Sequence, residues 1–137
     1  MRKNRSNLAY LVAFTVLPCI GACAGKPTPV DTGRTIEATY QGGVLSAVLP
    51  ENARVPAILS AAEQTLRSRG YSVASQSATD EQGQLVARPP RSTTYPRVTV
   101  AAKRVMSANQ VTIEFEPWGD RDTSLSILDG VLTRLGL

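Results

Sequence analysis

The sequence predicts an α+β fold: a two-layer sandwich with two helices on one face of an antiparallel sheet, in the order hairpin-α-β-β-β-β-α. Three observations lead there. Residues 52–71 and 119–137 carry apolar residues at helical spacing. Residues 97–103 and 111–116 alternate apolar and polar side chains with a period of two, the pattern of a sheet with one buried and one wet face. One-sided helices and a one-sided sheet then solve each other's burial problem.

The elements follow in order from residue 35. "TIEATY" and "VLSAVL" flank Gln41-Gly42-Gly43, two strand-like runs around a glycine pair, which predicts a hairpin with a tight turn. In "NARVPAILSAAEQTLRSRGY", Val55, Ile58, Leu59, Ala62 and Leu66 form one helical stripe. Gly70 is placed to stop that helix in the left-handed conformation, with Tyr71 packing back on Leu66. "YSVASQS" and "QLVAR" are the weaker strands, joined by a turn-rich segment. "RVTVAAK" sets Val98, Val100 and Ala102 against Thr99, Ala101 and Lys103; "VTIEFE" sets Val111, Ile113 and Phe115 against Thr112, Glu114 and Glu116. In the last helix Asp120 is the expected cap, Asp122 sits in the positive first turn, and Leu125, Leu128, Val131, Leu132 and Leu135 form the stripe. Gly130 within it points to close packing against a neighbour.

The N-terminus has a different character. "MRKNRSN" is basic, and "LAYLVAFTVL" is an uncharged run stopped by Pro18, about half the roughly 20 residues a spanning helix needs. A basic start, a short apolar middle and the small residues Gly21 and Ala22 match a secretory signal peptide. The tetrad Ile20-Gly21-Ala22-Cys23 resembles the lipobox of bacterial lipoproteins, in which the cysteine is joined to diacylglycerol and the signal is cut just before it. That resemblance assigns lipidation to Cys23; Cys19, preceded by Val16-Leu17-Pro18, lacks the two small residues and leaves with the signal. Ordinary cleavage near Ala22 with a free Cys23, and a Cys19–Cys23 disulfide, are the competing readings. The expected organisation is therefore a signal peptide over 1–22, a lipidated Cys and flexible tether over 23–34 with Pro27, Pro29 and Gly33, and one domain over 35–137. Ala24, rather than Asp, follows the cysteine, which by the same resemblance favours the periplasmic face of the outer membrane.

The resemblance extends into the domain. From Tyr40 to about Leu135 the chain resembles a family of short, uncharacterised bacterial lipoproteins, through the turn at Gly42-Gly43, the helix ending in Leu66 and Gly70-Tyr71, "VTIEFEPWGD", and a closing helix with Ile127-Leu128. Trp118 stands where another apolar residue, commonly Phe, is expected. The resemblance implies no activity.

Composition narrows the function classes. The whole chain carries a net charge of +4, with 15 Lys+Arg against 11 Asp+Glu and no His. Removing residues 1–22 takes away Arg2, Lys3 and Arg5 and no acid, leaving a near-neutral domain without the basic footprint of a nucleic-acid binder. Without His, and with Cys23 acylated, neither a histidine triad nor a cysteine nucleophile can be built. No enzyme activity, cofactor or metal is expected. Asp120 and Asp122 read as capping acids, and Glu114 and Glu116 as a solvated strand face. Two binding expectations remain: a module docking an envelope protein through its outer sheet face or a free edge strand, or a loop holding Arg88, Arg91, Tyr95 and Arg97 that binds an anionic phospholipid headgroup or cell-wall polymer. Salt separates them, since loop binding to an anion fades with ionic strength.

Overall fold

The computed structural model describes residues 26–137; Cys19, Cys23 and the signal segment lie outside the described residues. The chain forms β1 (Thr28–Val30), β2 (Ala38–Gln41), β3 (Val44–Pro50), α1 (Val55–Ser68), β4 (Ser72–Ala78), β5 (Gln82–Arg88), β6 (Arg97–Val105), β7 (Ala108–Glu116) and α2 (Arg121–Leu135). The seven strands make one sheet in the order β1-β2-β3-β7-β6-β5-β4, with every neighbouring pair antiparallel. Both helices pack on the same face, α1 over β4, β5 and β6 and α2 over β3 and β7. The α+β sandwich expected from the pattern is the fold.

The core lies between the layers. The α1 stripe of Val55, Ile58, Leu59, Ala62 and Leu66 is fully buried, as are Val98, Val100 and Ala102 of β6 and Val111 and Ile113 of β7. Gly70 has φ +81°, and the Tyr71 N–H donates to the Leu66 carbonyl at 3.0 Å, closing the last turn of α1. In α2 the buried residues are Ser124, Ile127, Leu128, Val131 and Leu132, while Leu125 and Leu135 are only half-buried. The stripe is turned from its expected position because α2 buries two sides, one on the sheet and one on α1. Gly130 lies on the second: a Cβ there would stand 2.5 Å from Thr65 Cγ2. Arg134 Nε donates to Thr65 Oγ1 at 3.1 Å and Arg69 Nη2 to the Ser126 carbonyl at 2.6 Å, pinning the antiparallel helices together.

Two features depart from the expected pattern. The segment expected as a tether supplies β1, which pairs with β2 and buries Val30, so the ordered domain begins earlier than residue 35. Pro29 does not prevent this, because an edge strand leaves one row of backbone groups unpaired in any case. In β4 the register shifts between Val73 and Ser75, which leaves Ala74 as an extra residue. Val73 and Gln76 therefore share the helix-side face with Ala87 and Leu85, three positions apart instead of two.

The topology gives the sheet two unlike ends. At one, β1 begins, and the Gly42-Gly43 turn, the 89–96 loop and the 117–119 corner gather; the other holds residues 31–37, 51–54, 79–81 and 106–107. At the first end Gly43 and Gly119, both at positive φ, touch backbone to backbone: a Cβ on Gly119 would stand 2.6 Å from Gly43 Cα and 2.7 Å from Tyr40 Oη.

Candidate functional site

The 88–97 loop binds its own residues before it can bind anything else. Arg97 opens β6 opposite Glu116, and their side chains form a hydrogen-bonded ion pair. The Arg97 guanidinium also lies 5.1 Å from the centre of the Tyr95 ring. Arg88, opposite Ser72 at the end of β5, is half-buried, and its Nε is shielded without a hydrogen-bond partner. Arg91 is exposed, at φ +66°. The structure thus joins Tyr95, Arg97 and Glu116 into one cluster and leaves Arg91 outside it.

Of the carboxylates singled out by the sequence, Glu116 holds Arg97 and Asp120 caps α2. Asp120 Oδ1 accepts from the Thr123 N–H at 2.9 Å and Oδ2 from the Thr123 hydroxyl at 2.6 Å, a complete helix cap. The hydroxyl first, then the backbone N–H, hold its carboxyl below the ordinary Asp value. Tyr71 nearby is pushed above its ordinary value, chiefly by burial, with Arg69 opposing and Asp120 reinforcing the shift. Glu114 is exposed between Val44 and Thr99 on the outer face. Among the described residues no three His, Cys, Asp or Glu side chains gather closely enough to hold a metal ion.

At the far end of the sheet a cleft of about 840 Å3 is lined by Glu51, Asn52, Arg54, Asp80, Glu81 and Arg104. Its charges are partly spent: Arg104 Nη2 bonds Glu51 Oε1 at 2.9 Å, and the Arg104 N–H donates to the Glu81 carbonyl at 2.7 Å. The buried Asn109 spans toward the Pro50 and Glu51 carbonyls at 3.4 Å each. The cleft presents polar groups of both signs, but no nucleophile paired with a base.

Among the described residues, the outer face of the sheet, opposite the helices, is left open. One register row crosses six strands as Thr39, Ser46, Thr112, Ala101, Gln84 and Ser77, all small or neutral. Charge flanks this row, with Glu114 on one side and Lys103 on the other. The sequence identified the polar alternation but not the row, because register is a property of pairing. It named Trp118 only as a substitute for another apolar residue, whereas the side chain is 91% exposed, and it passed over Met106, 93% exposed at the β6–β7 turn. Pro117 and Gly119, which flank Trp118, were the available signal, since a Trp at such a corner has no periodic pattern to bury it.

No protein-family model and no curated protein matches the chain. No helix among the described residues is long and apolar enough to cross a membrane.

Proposed function

We propose that this protein is a lipid-anchored module of the bacterial envelope, held by Cys23, that docks a protein partner on the outer face of its sheet without catalysing a reaction. The supporting observation is that uncovered face, with a neutral row at its centre and charges at its margins, the arrangement of a protein interface with an uncharged core and a polar rim. Its size is suitable. The six strands β2 to β7 hold 43 residues, which at about 3.3 Å per residue and about 4.8 Å between strands make a platform of about 700 Å2, close to the roughly 800 Å2 per partner of a standard interface. The lipobox pattern supports the anchor, and at about 0.8 kcal/mol per buried CH2, two or three acyl chains hold firmly where one does not. Ala24 after the cysteine, in place of the Asp that retains lipoproteins at the inner membrane in the sorting rule it resembles, favours the periplasmic face of the outer membrane.

Photo-crosslinking residues placed at Ser46 and Thr112, compared with Glu63 on the helix side, test the docking. One protein captured from both sheet positions and not from Glu63 is the expected result; capture only from the helix side refutes it. Palmitate labelling tests the anchor separately: Cys23→Ala should abolish it, and labelling lost with Cys19→Ala instead would identify the other cysteine.

A further inference from the structure

We propose that the end of the sheet holding Trp118, Tyr95 and Arg91 rests on the phospholipid bilayer that carries the anchor, so that the domain stands upright on the membrane. This rests on the reading of Cys23 as lipidated. The geometry that points to it is the position of β1. Its first residue, Thr28, pairs with Tyr40 at the end of β2, beside the Gly42-Gly43 turn and the Gly119 corner. From Cys23 to Thr28 the chain reaches at most about 18 Å fully extended. The opposite end of the sheet lies about 30 Å away along β6 and β7. The anchor therefore draws in the end at which β1 starts.

That end has the chemistry of a membrane interface. Trp118 is 91% exposed and Tyr95 52% exposed, two amphipathic rings of the kind that settle at headgroup level. Both project from connections that close strands at this end, Trp118 after β7 and Tyr95 before β6. Exposed Lys26, Arg91 and Arg121 stand with them, and basic side chains are drawn to anionic headgroups. The balance of charge runs the same way: at the far end Asp31, Glu37, Glu51, Asp80 and Glu81 outnumber Arg34, Arg54 and Arg104, whereas at this end Lys26, Arg91 and Arg121 outnumber the capping acids Asp120 and Asp122. An upright domain also keeps the outer sheet face perpendicular to the bilayer and open to a partner.

Trp118 is the protein's single tryptophan and so reports its own environment. The experiment uses the full-length processed protein, purified from membranes and reconstituted into phosphatidylcholine–phosphatidylglycerol vesicles whose acyl chains carry bromine. Flotation with the vesicles reads the anchor; quenching and blue shift of Trp118 emission read the contact. The expected result is flotation with emission quenched roughly twofold, and recovery of that emission in the Arg91→Glu/Arg121→Glu variant, which still floats. Flotation with red, unquenched emission overturns the contact and leaves the anchor standing. Blue-shifted emission without bromine quenching places Trp118 against protein and also overturns it. Failure to float removes the anchor and this inference together.

Discussion

Replacing Gly119 with Ala tests whether the corner between β7 and α2 is locked to the β2–β3 turn. Two costs are combined there. Gly119 has φ +74°, and an L-residue in the left-handed region costs about 1–2 kcal/mol. The new Cβ would also stand 2.6 Å from Gly43 Cα, and backbone cannot rotate aside as a flexible side chain does. Forcing such a contact costs about 1–3 kcal/mol more. Gly42 supplies the control, because its φ is +58° and nothing lies within 4 Å of the Cβ it would gain. Gly42→Ala should therefore show the conformational cost alone. At about 4 °C per kcal/mol for a domain of this size, Gly119→Ala in the 26–137 fragment should melt at least about 4 °C below Gly42→Ala by circular dichroism. Equal melting temperatures would refute the locking, and would mean that the two turns move apart at little cost.

Removing residues 26–34 deletes β1 and the Arg34 bonds to Thr133 and Asp129. The 35–137 fragment should lose at least the 1.5–3 kcal/mol that burying a residue such as Val30 typically supplies, and a urea midpoint equal to that of 26–137 would count against β1 as a core strand. Leu128→Asp puts a carboxylate into a site 1% exposed, at a cost of several kcal/mol against a total of about 5–15, so it should unfold the domain. Glu114→Ala, on the exposed outer face, should stay within about 0.5 kcal/mol of the parent by chemical denaturation. Asp120→Ala should cost about 1 kcal/mol at neutral pH through loss of the cap. The folded-state pKa of Asp120 lies below its ordinary value of 3.8, so its charged form contributes above pH 3.8 and is lost as pH falls through the folded value. The gap between parent and Asp120→Ala should accordingly narrow only in acid below pH 3.8, and a gap that closes near neutrality would assign the effect to another group.

Elements that bury one face were legible in the sequence, and elements under a second constraint were not. The α1 stripe and the alternation of β6 and β7 read directly, because each of those elements meets the core along one side. Alpha2 meets both the sheet and α1, so Ile127 and Ser124 entered the core while Leu125 moved to its margin. Strand β4 looked weak because Ala74 breaks its period, and β1 was hidden by Pro27 and Pro29, which suit a tether as well as they suit an edge. The candidate surfaces suffered more. Arg97 and Glu116 are nineteen positions apart, and only the β6–β7 register makes them partners. The neutral row on the outer face needs five strand pairings to exist at all.

Ala74 has a consequence for how copies of this protein coexist. The free rim of β4 is seven residues long, with neither a charge nor a proline to discourage another strand from adding to it. Its defence is the irregularity itself, which splits the row of outward N–H and C=O groups into two pieces out of step with each other. A neighbouring chain can match either piece but not both, so growth along that rim stops after a few bonds. Deleting Ala74 would straighten the rim into a continuous template while leaving the packed layers nearly unchanged, and the damage would be seen as fibres of folded protein rather than as unfolding.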